Sequence, residues 1–135
     1  MAVSTVHSKN LVINGPEDQA IAGILTQRNP IPAPGTHLII IVHGHGGHKD
    51  YCYQRTLAEM PNNEFDSYRF DFRGCGNSTD EFNANGKKIT DVRNAAHDMD
   101  DLEAVVKYFQ NTSPYKVWAI VGHSRGKLYR VCYLF

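Results

Sequence analysis

The run Leu38-Ile39-Ile40-Ile41-Val42 holds five apolar residues, four of them β-branched, with no polar interruption. A strand with one face in water alternates apolar and polar side chains. An unbroken run therefore demands cover on both faces, as in a parallel strand with helices packed above and below it. The stretch from Lys116 to Val121 repeats the pattern, and Ser67 to Phe72 reads as another short strand. Helical patterns lie between them. Asp50 to Met60 is closed by Pro61-Asn62-Asn63. After Thr90, a candidate N-cap, Val92, Ala95, Ala96, Met99, Leu102, Val105, Val106 and Phe109 recur at three- and four-residue intervals until Asn111-Thr112-Ser113-Pro114 ends the helix. Strands alternating with helices imply a parallel sheet with right-handed crossovers.

The start of the chain differs. Val6 and Leu11-Val12-Ile13, broken by Asn14-Gly15-Pro16 and followed by the apolar run Ala20 to Leu25, predict an antiparallel hairpin. The proline-rich stretch Asn29 to Gly35 lacks the donors a central strand needs and reads as a loop. The fold class expected is thus α/β: a mostly parallel sheet with an N-terminal antiparallel hairpin, flanked by helices. With 135 residues the chain has room for one core.

Lys plus Arg and Asp plus Glu each number 14, so there is no net field to draw nucleic acid or an anionic membrane; a small neutral substrate or a protein partner suits this balance. Cys52, Cys75 and Cys132 are odd in number, widely spaced and without a CxxC pair, which argues against a disulfide framework or zinc ribbon. No basic, apolar leader precedes Asn10, and the longest aliphatic run is too short to cross a bilayer. These features lead us to expect a cytoplasmic protein.

Chemistry concentrates in Gly122-His123-Ser124-Arg125-Gly126, a G-x-S-x-G pattern directly after a buried strand. In that context a tight strand-to-helix turn lifts the serine clear of the sheet, and Gly122 and Gly126 remove side chains that would collide. A following helix aims its free N–H groups at the same spot. Two other glycine-rich segments follow strands: His43-Gly44-His45-Gly46-Gly47, and Asp71-Phe72-Arg73-Gly74-Cys75-Gly76-Asn77-Ser78.

Together these three segments resemble the N-terminal half of an α/β-hydrolase, nearest the esterase, lipase and serine-aminopeptidase branch. The likeness spans roughly Ile21 to Gly126 and makes residues 1–126 one portion of a single domain, with 127–135 an atypical tail. The resemblance implies Ser124 as nucleophile, the backbone N–H groups of His45 and Arg125 as oxyanion donors, and Gly44, Gly46, Gly47, Gly122 and Gly126 as supports. Ser124 would attack an ester, or less readily an amide or thioester, without metal or organic cofactor. A serine hydroxyl needs a histidine to take its proton and a carboxylate to orient that histidine. In the family both follow the serine, yet only nine residues follow Gly126 and none is His, Asp or Glu. Lys127 also stands where the family has a small residue. The 135-residue chain is therefore expected to be inactive and to self-associate along the Val117–Val121 strand edge; the alternative to a hydrolase is a non-catalytic remnant or binding module.

Other readings compete at several residues. His43, His45 and His48 have the H-x-H-x-x-H spacing of a zinc hydrolase, although that motif has an aspartate where Gly47 stands; His43 is more simply a strand-end residue bonded to its own loop. His97 and Asp98 could stand in for the missing pair, but Asp98, Asp100, Asp101 and Glu103 most simply form a solvated helix face. Asp71 is expected to brace the 73–78 loop, Trp118 to lie in the core, and Cys75 to be exposed between its glycines.

Overall fold

The computed structural model describes residues 5–44, 47–51, 53–60, 63–78, 95–111 and 114–122. Strands β1 (His7–Asn14) and β2 (Ala20–Gln27) form the hairpin, joined through a single 3-10 turn at Pro16–Asp18. β3 (His37–Val42), α1 (Gln54–Glu59), β4 (Asp66–Phe70), α2 (Ala95–Asn111) and β5 (Lys116–Gly122) follow. The sheet order is β1-β2-β4-β3-β5. β2 pairs antiparallel with both β1 and β4, whereas β3 runs parallel to β4 and β5.

β3 has the burial that its composition demands, with Leu38 to Val42 all at 3% exposure or less. Alternate residues face two different cores. Leu38, Ile40 and Val42 join Tyr68, Phe70, Val117, Ile120 and the α2 residues Leu102, Val105, Val106 and Phe109. Ile39 and Ile41 pack with Ala58 and, at the margin, Tyr53, Leu57, Ala119 and Val121. At the hairpin, β2 gives room to a large ring: a Cβ on Gly23 would collide with Tyr68. The Tyr68 hydroxyl donates to the Leu11 carbonyl at 2.8 Å, and burial raises its pKa above the usual phenol value.

Several expectations from sequence are corrected. α1 begins at Gln54, because His48–Tyr51 is a turn closed by Tyr51 N–H on the His48 carbonyl. β4 stops at Phe70, and the Phe72 N–H turns instead to the His43 ring. Trp118 is 53% exposed rather than core. The β3/β5 register runs Leu38↔Val117 and then Ile39↔Ala119, so Trp118 is the extra residue of a bulge. Its ring stacks on His37 at 5.2 Å. Cys75 is buried in the larger core. Asp98 and Asp101 are each 1% exposed and so do not belong to a solvated face. Thr90 and Val92 lie outside the described residues.

Candidate active site

Parallel strands deliver their following loops to one end of the sheet, outside the strands' carboxyl termini, the usual place for ligands in open α/β folds. Val42 is in register with Phe70 on one side and with Gly122 on the other. β4, β3 and β5, three adjacent strands, thus end at the same level, at Phe70, Val42 and Gly122. Gly122 is the last residue of β5, directly before the G-x-S-x-G serine in sequence. Ser124, Arg125, Gly126, His45 and Gly46 lie outside the described residues, so the structure brings together the strand ends that carry them rather than the groups themselves.

His43, fully buried, anchors the first loop. Its Nε2 accepts the Phe72 N–H at 3.2 Å, which fixes the tautomer and leaves Nδ1–H to donate to the Gly44 carbonyl at 2.8 Å. Both ring nitrogens are therefore engaged with backbone, and His43 has no lone pair to offer a metal. His48 is exposed, and its Nδ1 accepts the Asp50 N–H. The Gly47 N–H bonds the Gly44 carbonyl at 3.2 Å across the two residues between them. A Cβ at Gly47 would come within 3.3 Å of the same carbonyl and of His43, a tight contact that a larger residue there would have to relieve.

Asp71 ties the second loop to the first. Its carboxylate accepts the Lys49 N–H at 2.6 Å, the Lys49 ammonium at 2.8 Å and the Asn77 N–H at 2.9 Å. The Ser78 hydroxyl donates to the Asp71 carbonyl and accepts the Ala22 N–H. The expected brace of the 73–78 loop is present, then, but it extends further, to Lys49. Gly76 has φ +48°, and a Cβ there would run into the Asp71 carboxylate. Gly76→Ala should therefore lose about 2 kcal/mol or more, from left-handed strain and the collision together. Urea unfolding followed by circular dichroism would check this, and an unchanged midpoint would contradict it.

Arg73 packs against α2. Its N–H and Nε donate to Asp101 at 2.8 and 2.9 Å, in a pair whose side chains are 4% and 1% exposed. Burial pushes the Asp101 carboxyl up, while the Arg73 hydrogen bonds and charge pull it down. The sequence reading missed Lys49 and Asp101 because each meets its partner across 22 or 28 residues. The only local signal was a charged residue beside an apolar run or a glycine loop. No group of three or more His, Cys, Asp or Glu among the described residues is arranged to hold a metal ion, and no helix among them is long and apolar enough to cross a membrane.

A mixed sheet of this order, with helices on both faces, is that of an α/β-hydrolase. Residues 34–134 match the family described as serine aminopeptidase, S33, and the chain belongs to that family. Solved structures agree on the fold. DcsB in complex with its substrate analogue superposes with a TM-score of 0.72 at 17% identity, over 93% of this chain and 40% of that one. The esterase Pf2001 of Pyrococcus furiosus gives 0.68 at 20% identity, over 93% and 46%. Est1E of Butyrivibrio proteoclasticus, solved with ferulic acid bound, gives 0.69 at 20%, over 88% and 44%. The chain thus spans less than half the length of these structures. No curated protein matches it significantly.

Proposed function

We propose that these residues form the nucleophile-bearing half of a serine hydrolase acting on small esters through an acyl-Ser124 intermediate. The observation that supports it best is the register Val42↔Gly122, which sets the residue two before Ser124 against the strand end that leads into His43-Gly44-His45-Gly46-Gly47. Ser124 attacks the ester carbonyl, and the N–H groups of His45 and Arg125 hold the resulting oxyanion. Each such donor is worth about 2.7–4 kcal/mol of transition-state stabilisation. Gly46 and Gly47 let the carbonyl approach the backbone, Gly44 supports the loop, and Gly122 and Gly126 free the serine turn. A histidine takes the Ser124 proton and returns it to the leaving alcohol, oriented by a carboxylate. Both must come from sequence other than Lys127–Phe135. In a polypeptide where these residues continue into that acid and histidine, called the full-length enzyme below, p-nitrophenyl acetate should be hydrolysed with a burst. Absence of turnover in a folded, purified sample would remove the proposal.

The 135-residue polypeptide on its own is a different object. With two triad members missing, only the residual rate that binding and the oxyanion donors supply remains. β5 has one strand neighbour among the described residues, β3, and carries the exposed Trp118. An apolar edge of this kind is a template for pairing with another chain. Light scattering should show dimers or larger species, and turnover should stay near that of its Ser124→Ala version. A monodisperse, actively hydrolysing monomer would contradict both statements.

A further inference from the structure

We infer that Lys49 is a positioning residue for the oxyanion donors, acting through Asp71 and Asn77; the inference rests on the serine-hydrolase reading above. A lysine at 6% exposure is costly to bury unless its ammonium is paired and hydrogen-bonded. Here it is: Nζ donates to Asp71 Oδ2 at 2.8 Å and to Asn77 Oδ1 at 2.7 Å, and lies 3.8 Å from Asp50 Oδ2. The backbone N–H of the same residue reaches Asp71 Oδ1 at 2.6 Å. Asp71 is completely buried and is held in turn by the Asn77 N–H. Two residues before Lys49, Gly47 bonds back to Gly44, and one residue before that, His43 accepts from Phe72.

The glycine loop is thus fixed to the 71–78 loop at both of its described ends, by His43 on Phe72 and by Lys49 on Asp71. A loop rich in glycine has many backbone conformations, and an amide N–H stabilises an oxyanion only when its direction is set before the charge appears. The ammonium and the amide of Lys49, bound to the two oxygens of one buried carboxylate, remove both translation and rotation of the loop's exit. The clamp does not touch substrate. Its effect on rate runs through the loop it anchors, in which His45 lies by sequence.

The test uses the full-length enzyme with Lys49→Met, which keeps the reach of the side chain and removes the ammonium, and Asn77→Ala, which removes one acceptor only. Active sites are first counted with a fluorophosphonate, so that rates refer to folded, reactive molecules. For p-nitrophenyl acetate, kcat per site should fall about 10- to 100-fold in Lys49→Met, below the full loss of one donor, and about 3-fold in Asn77→Ala, with KM within about 2-fold. The corresponding thiono ester supplies a readout that a purely structural role would not move. Its developing negative charge sits on sulfur, a poor hydrogen-bond acceptor, so the oxo-to-thiono rate ratio should fall in the same proportion as kcat. If Lys49→Met yields no reactive sites, Asn77→Ala carries the test alone. An unchanged kcat per site, or a lowered kcat with an unchanged oxo-to-thiono ratio, would overturn the inference while leaving the serine reading intact. Failure of the unsubstituted enzyme to react with the fluorophosphonate would overturn both.

Discussion

Ser124→Ala in the full-length enzyme should lower kcat for p-nitrophenyl acetate by about 10⁴- to 10⁶-fold while leaving the fold unchanged, since triad members act as one unit. The acyl-enzyme route needs an oxygen that first bonds the carbonyl carbon and then leaves it, and an alanine methyl offers none. What remains is the rate that binding and the oxyanion donors give to attack by water. The size of the loss is itself diagnostic. A supporting serine in a glycine-flanked turn would cost a few-fold, and a residue that merely binds substrate would raise KM with kcat preserved. Steady-state kinetics with matched circular dichroism would separate these cases.

The second large effect concerns stability. Asp71→Ala should cost about 3–5 kcal/mol, the usual result of removing one partner of a buried ion pair. Among the described residues the Lys49 ammonium would keep Asn77 and the more distant Asp50 as partners, and the N–H groups of Lys49 and Asn77 would lose their Asp71 acceptor. The penalty arises largely from the charge left behind, so removing that charge as well should relieve it. Asp71→Ala combined with Lys49→Met is therefore expected to be more stable than Asp71→Ala alone, by about 1 kcal/mol or more. Urea midpoints of the full-length enzyme measure this directly. If the two substitutions simply added, the buried pair would not be the source of the effect.

How far the sequence could be read depended on the range of the forces involved. The Leu38–Val42 strand was legible because burial on two faces is written into consecutive residues, and the hairpin because its break, Asn14-Gly15-Pro16, is local. Trp118 was misread for a comparable reason. Inside an apolar run it looks like core, and only the pairing of Val117 and Ala119 with consecutive β3 residues reveals the bulge that turns it outward. Asp101 looked like a solvated helix residue because the guanidinium that buries it belongs to a loop 28 positions earlier. Cys75, between glycines, looked accessible, yet the turn at Phe72–Cys75 folds it into the core. In the candidate site the motif residues were legible as patterns. The links between loops, His43 to Phe72 and Lys49 to Asp71, were not, since nothing near Lys49 announces a carboxylate 22 residues away.

The central claim is that Ser124 is the nucleophile, and the sequence makes it unusually easy to test. Trypsin cutting after Lys116 and Arg125 releases Val117–Arg125, in which Ser124 is the only serine and no threonine or tyrosine occurs. After treatment of the full-length enzyme with a fluorophosphonate, mass spectrometry should find this peptide carrying one phosphonyl group on Ser124, in proportion to the activity lost. Complete inactivation with the Val117–Arg125 peptide unmodified, or with the label on another residue, would contradict the account.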